Sequence, residues 1–274
     1  MNKTTTGHIA AHADWLDVHF ESARPEYQDG LRWVGVQPGW TVLDAGCGGG
    51  SFLPLLAELV GGSGSIDALD LAPENIARVE ALVSADARLA VVRPKIGSVL
   101  RLPFADATFD CVWSANVMQY LSEAEAAQVL AESRRVLKPG GTLAVKDFDF
   151  RLVSLYPIDP DLLARWIAAR RRGWAAGGVL GGFCGESLPA RLRRAGLVDV
   201  RAKGWLVERR APVPAATRQF VAELFTYWGG LDVGLLAPDS EFWKRIGDNP
   251  HSLIDDPDFC FREGFVIAVG GVPA

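Results

Sequence analysis

The chain has 274 residues, 49% of them apolar and 22% charged, with a formal charge of −5; this suits one large globular domain or one domain carrying a substantial insertion. No run approaches the roughly 20 apolar residues of a membrane helix, and the negative balance argues against a nucleic-acid partner, whose phosphates call for a basic face. Four scattered cysteines (Cys47, Cys111, Cys184, Cys260) without a CxxC pair argue against a disulfide framework or a structural zinc site, so no metal is expected.

The N-terminal "MNKTTTGHIAAHAD" has no basic start leading into an apolar run, so the expectation is no secretory signal and a cytoplasmic protein. Residues 1–39 read as a helical lid segment, and 40–274 as a core with cap insertions at about 150–185 and 210–258. From 40 to 149, short apolar runs alternate with segments of helical period. Strand candidates are 41–45, 65–70, 89–93, 109–114 and 142–148; helix candidates are 51–60, 73–84 and 123–137. This rhythm predicts an α/β fold, a doubly wound parallel sheet with helices on both faces and ligands at the C-terminal strand ends. Ser51 is expected to cap the helix after a glycine run, and Pro73 to open the next one with Glu74 in its first turn. "LKPGG" (137–141) ends a helix and turns into the fifth strand.

Past residue 150 the rhythm breaks. Helices are expected at 159–176, 186–197, 215–228 and 239–246, strands at 198–208 and 261–271, and a flexible joint at "GGVLGG" (177–182). Six of the nine tryptophans (Trp15, Trp33, Trp166, Trp174, Trp228, Trp243) fall outside the predicted sheet. They are expected to pack these pieces onto the domain, the sharper alternative being that a few wall a substrate pocket. The basic runs at 169–173 and 191–194 read as solvated helix faces.

The stretch "VLDAGCGGGS" (42–51) sets a bare backbone between the first strand and the first helix, where a ligand approaches closely. Such a turn alone serves many adenosine compounds, and three features narrow it. Asp44, at the strand end, would repel a pyrophosphate but suits an ammonium or sulfonium group. Asp70 closes the second strand, where an acid accepts both ribose hydroxyls. No GKS or GKT follows, which excludes a phosphate-gripping loop. The ligand so described is an adenosine with a cationic, phosphate-free tail, and S-adenosylmethionine fits it.

"VLDAGCGGG" resembles motif I of the class I S-adenosylmethionine-dependent methyltransferases. "ALDLAPENIARV" (68–79), "RLPFADATFDCVWSANVMQYL" (101–121) and "RVLKPGGTLAV" (135–145) resemble their later motifs in the expected order. The pattern is similar to the small-molecule methyltransferases of ubiquinone, menaquinone and natural-product pathways. The resemblance implies a Rossmann-like, seven-stranded sheet, mostly parallel, in which "GFVIAV" is the antiparallel last strand. It also implies that Gly46, Gly48 and the backbone near Asp44 hold the methionine part, that Asp70 binds the ribose, and that Leu71 packs on the adenine. Where the family often has an aspartate, this chain has Ser98, so the Ser98 hydroxyl or the Val99 backbone would have to serve the adenine. Asn116 would face the methyl group and the substrate. Cys47 is expected to be a packing residue, and Asp106 and Asp110 turn and strand-boundary residues.

Methyl transfer from a sulfonium needs alignment and exclusion of water, with a general base only for some acceptors. Of the four histidines, at 8, 12, 19 and 251, His19 is the candidate base, weighed against a purely structural role. Tyr27, Gln119 and Tyr120 are candidate pocket residues by position. Asp147 and Asp149 are read either as groups orienting a substrate or as loop caps. The Trp-, Phe-, Leu- and Gly-rich variable segments favour a hydrophobic or aromatic small molecule, with O-, N- or C-acceptor open. No "NPPY"-like run follows the fourth strand, where "SANVMQY" stands, which lowers a base-modifying role. The rivals are an NAD-linked oxidoreductase, disfavoured by Asp44, and a cofactor-binding relative with a non-methylating activity such as cyclisation. Oligomeric state is left open, a homodimer being compatible.

Overall fold

The computed structural model describes residues 13–274, with side chains from Trp15 onward. The secretory-signal reading, the first twelve residues of the lid segment, His8 and His12 lie outside the described residues.

Two helices, α1 (Ala13–Ser22) and α2 (Arg24–Val34), precede the sheet. The alternating unit follows as β1 (Thr41–Ala45), α3 (Leu53–Val60), β2 (Ser65–Asp70), α4 (Pro73–Ala85), β3 (Val92–Ile96), β4 (Phe109–Ala115), α5 (Glu123–Val136) and β5 (Leu137–Phe148). Then come β6 (Ser154–Tyr156), α6 (Pro160–Ala176), α7 (Leu188–Arg194), β7 (Val198–Arg210), α8 (Ala215–Gly229), α9 (Asp239–Asp248), α10 (His251–Ile254) and β8 (Cys260–Gly271). The strands form one sheet in the order β3-β2-β1-β4-β5-β8-β6, with β7 on the other edge of β8. β1 to β5 run parallel, and β8 lies antiparallel to β5. The sheet is Rossmann-like, mostly parallel with an antiparallel last strand. It has eight strands rather than the expected seven, because the three-residue β6 pairs with Cys260–Arg262 at the start of β8.

Side-chain alternation builds the two faces. Val42, Cys111, Trp113 and Ala144 point into one core with α2, α3 and α4. Leu43, Val112, Leu143 and Val145 point into the other with α5 and α7. The strand order reverses between β1 and β4, which opens a crevice at their C-terminal ends.

Local chemistry explains several boundaries. Ser122 and Glu125 close a reciprocal capping box on α5: the Ser122 hydroxyl accepts from the Glu125 N–H, and the Glu125 carboxylate accepts from the Ser122 N–H at 2.7 Å. β3 starts three residues later than the 89–93 reading, since the Asp86 carboxylate accepts from the Arg88 N–H and winds Ala87–Leu89 into a 3-10 turn. Pro94 is tolerated because β3 is an edge strand. The "KPGG" turn is absorbed into β5 as a bulge: Phe109 pairs with Leu137, but Cys111 already pairs with Thr142. Ser51 does not cap α3. Phe52 holds the cap position, and the Ser51 hydroxyl donates instead to Asp17 at 3.1 Å.

A third apolar cluster joins α6, α8, α9, α10, β6 and the start of β8. Trp166 and Trp228 stack at 4.2 Å between centroids, with Trp243 at 5.7 Å from each. Trp15 meets Phe220 at 5.2 Å and Trp33 meets Trp205 at 5.5 Å. The tryptophans pack the outer elements together. Among the described residues no tryptophan lines the crevice at the C-terminal strand ends. No described helix is long and apolar enough to cross a membrane.

Candidate active site

A cavity opens at the β1/β4 switch point, floored by the β1–α3 turn and roofed by α1. The turn needs glycine. Gly46 has φ +83, and a Cβ there would sit 2.5 Å from Val117 Cγ2; Gly48 has φ +55, with Leu16 of α1 3.2 Å from its would-be Cβ. Three of the turn's N–H groups are spent internally. Gly46 and Cys47 both donate to the Leu69 carbonyl at 2.8 and 2.9 Å, and Gly48 donates to Asp70 Oδ2 at 2.9 Å. Closeness of approach, not a supply of donors, is what these glycines provide.

Two acids face this floor. Asp44 is 2% exposed and its Oδ2 has no hydrogen-bond partner among the described residues. Burial, reinforced by the neighbouring Asp70, pushes its carboxyl up to about 8. Asp70 is braced on both oxygens: Oδ2 accepts from Gly48, and Oδ1 accepts from the Ala72 N–H and Asn75 Nδ2, each at 2.9 Å. Asn75 is buried, lines the cavity, and has an Oδ1 without a partner among the described residues. The wall therefore asks for a ligand that brings a cation or donor to Asp44 and a donor to Asn75. Leu71, Ser98 and Val99 line the same cavity, and Ser98 Oγ accepts from the Leu100 N–H at 3.2 Å. Burial also pushes the Cys47 thiol well up, which keeps it an unreactive packing group.

The helices α1 and α2 and the residue after β4 bring His19, Tyr27 and Asn116 to the same cavity, beside Phe20, Phe52 and Tyr120. The His19 ring stacks on Phe220 of α8 at 4.4 Å and 5°. Its Nε2 lies 3.0 Å from both Glu263 Oε1 on β8 and the Tyr27 hydroxyl. Desolvation, then Glu263, Asp147 and Glu26, hold the Tyr27 phenol well above its ordinary range, so it stays protonated. Asn116 has φ +59, and its Oδ1 accepts from Lys146 Nζ at 2.6 Å. A lysine only donates, so the carbonyl end of Asn116 is committed and its NH2 group is the end left for other partners. Lys146, 1% exposed, lies 4.0 Å over the Tyr27 ring, and burial lowers its ammonium to about 8 against the opposing pull of Asp147 and Glu263.

Two expected pocket residues do not line this cavity. Gln119 is turned back, its side-chain NH2 reaching its neighbour's carbonyl, the Asn116 oxygen, at 3.4 Å. Asp147 is fully buried, accepting from the Gln119 and Phe148 N–H groups; burial raises it to about 6. Asp149 likewise closes a turn, accepting from Arg151 and from the Glu186 N–H. Lys146, Glu263 and Asn75 escaped the sequence reading. The signal for the first two was a charged residue inside an otherwise apolar strand, in "TLAVKDF" and "FREGFVIAV"; Asn75 gave none.

Residues 42–141 match a family model described as a methyltransferase domain. A demethylmenaquinone methyltransferase of Halalkalibacterium halodurans is 34% identical over 128 residues, covering 45% of this chain and 49% of that protein. A 2-methyl-6-phytyl-1,4-hydroquinone methyltransferase of Synechocystis sp. is 30% identical over 198 residues, covering 64% of this chain and 60% of that protein. The chain thus spans about half the length of these curated relatives. A solved SAM dependent methyltransferase from Aquifex aeolicus superposes with a TM-score of 0.51 at 21% identity, over 93% of this chain and 96% of that one, a likeness of fold.

Proposed function

The chain carries a class I S-adenosylmethionine-dependent methyltransferase domain, and from that premise we propose that it methylates a hydrophobic, aromatic small molecule, releasing S-adenosylhomocysteine. The observation that carries the reading is one cavity lined by two unlike sets of residues. Asp44, whose Oδ2 has no partner among the described residues, and the braced Asp70 belong to one set, and His19, Tyr27 and Asn116 to the other. The residues fit the cofactor. Asp44 offers a countercharge for the amino-acid ammonium, Asp70 keeps one lone pair on Oδ2 for a ribose hydroxyl, and Gly46 and Gly48 leave room for the methionine portion. Leu71 offers an apolar face to the adenine, with Ser98 and Val99 at its edge.

When bound, the sulfonium supplies an activated methyl group: an acceptor lone pair forms the new bond while the carbon–sulfur pair leaves on a neutral thioether. The chain's own residues align and desolvate. Phe20, Phe52, Leu16, Tyr120 and Leu121 line an apolar space that excludes water. The Asn116 NH2 group serves as a donor toward the acceptor, and His19 is the base for one that arrives protonated. Two relatives named for a demethylmenaquinone and a hydroquinone agree with an aromatic acceptor. Incubation with S-adenosylmethionine and a panel of hydroquinones, phenols and aryl amines, read as S-adenosylhomocysteine release by mass spectrometry, tests this. Release above the acceptor-free rate with at least one aromatic is expected, and none with any would refute it.

A further inference from the structure

We propose that Glu263 is a positioning residue that holds His19 as a general base, and that the acceptor is therefore a hydroxyl, of the phenol or hydroquinol class, which reaches the site still protonated. This rests on the methyltransferase reading above. Glu263 is 2% exposed on β8, opposite Val207 of β7. An acid so placed is costly unless paired, and its oxygen lies 3.0 Å from His19 Nε2. A carboxylate only accepts, so the pair selects the tautomer protonated at Nε2 and leaves the Nδ1 lone pair as the basic site. Tyr27, at 3.0 Å from the same nitrogen, accepts a share of that N–H and keeps its own proton to donate. Phe220 stacked on one face of the imidazole and Phe148, edge-on at 6.5 Å, restrict its rotation.

The charged groups around this ring come from four elements. Glu263 faces it from β8; behind Tyr27 stand Lys146 and Asp147 from β5 and Glu26 from α2, itself paired with Arg209 of β7. The proton balance is simple. The acceptor O–H bond breaks, its electron pair stays on oxygen for the new bond, and the proton passes to His19 Nδ1 and on to solvent. An acceptor that arrives as a free amine or a preformed anion has no use for this pair.

The test has two readouts, one independent of turnover. In 15N-imidazole NMR of the S-adenosylhomocysteine complex, with His19→Asn giving the assignment, wild type is expected to carry the His19 proton on Nε2, and Glu263→Gln to lose that preference. In methyl transfer to a series of substituted phenols, Glu263→Gln is expected to lose on the order of 100-fold in kcat with unactivated phenol and under about threefold with 4-nitrophenol, already largely ionised at pH 8. Glu263→Asp should recover part of the loss, and calorimetric affinity for S-adenosylhomocysteine should stay within about twofold of wild type in all variants. A wild-type proton on Nδ1, a loss uniform across the phenol series, or transfer to aryl amines but to no phenol overturns the inference and leaves the methyltransferase reading standing. Failure of wild type to bind S-adenosylhomocysteine overturns both.

Discussion

Asp44 concentrates the physics of the site in one side chain. Its carboxyl, raised to about 8 by burial and by Asp70, is held above its unfolded value. The stabilising contribution of its neutral form is therefore fully present below the unfolded pKa and is lost as pH rises through about 8. Asp44→Asn removes the titration. The variant should gain thermal stability over wild type that grows between pH 5 and pH 8.5, measured by calorimetric melts without ligand. A gain equal at both pH values would show that Asp44 does not titrate there. Lys146 acts in the opposite sense: its ammonium, lowered to about 8 by burial, costs stability while protonated, and that cost falls away as pH rises from about 8 toward the unfolded value.

At the scale of elements, the β1–α3 turn and α5 make separable predictions. Gly46→Ala forces a Cβ into a φ of +83 and against Val117 Cγ2, a strain of about 1–2 kcal/mol plus the clash. Val117→Ala should relieve the clash alone, so a double-mutant cycle in urea should show coupling of opposite sign to the single losses; strict additivity would mean that the turn yields elsewhere. Ser122→Ala, which opens the capping box of α5, should cost about 1 kcal/mol with cofactor affinity unchanged, and a change in affinity would tie α5 to the site. What was legible in the sequence follows the same division. β1, β2 and β4 could be read directly because buried parallel strands are continuous apolar runs closed by Gly, Asp or Asn. β3 was misplaced because the Asp86 turn competes with an edge strand, and β6 because three residues carry no period. Asp44, Asp70 and the glycines were legible as motif chemistry at strand ends. Glu263 was not, since its partner His19 lies 244 residues away and only folding joins them; Asp147 was misread because its position beside the site says nothing of the direction its carboxylate takes.

The whole molecule couples a sheet with two helical layers to a cap whose cluster is welded by Trp166, Trp228 and Trp243. Trp166→Ala, at a fully buried position, should cost about 3–5 kcal/mol, read by denaturant unfolding; a loss under 1 kcal/mol would mean that the cap contributes little to the cooperative unit. Because α1 packs against α8 of that cap and presents His19 and Leu16 to the cavity, the same variant should weaken methyl transfer more than cofactor binding. The central claim is that the orphaned acid on β1 receives the cationic end of the cofactor. Calorimetric titration with S-adenosylhomocysteine in buffers of different ionisation enthalpy tests it most directly. Binding at pH 6.5 should release close to one proton per site as Asp44 ionises, the release should fade as pH passes about 8, and Asp44→Asn should abolish it and weaken binding about 10- to 100-fold. Binding of equal strength in both proteins with no difference in proton release would contradict the account.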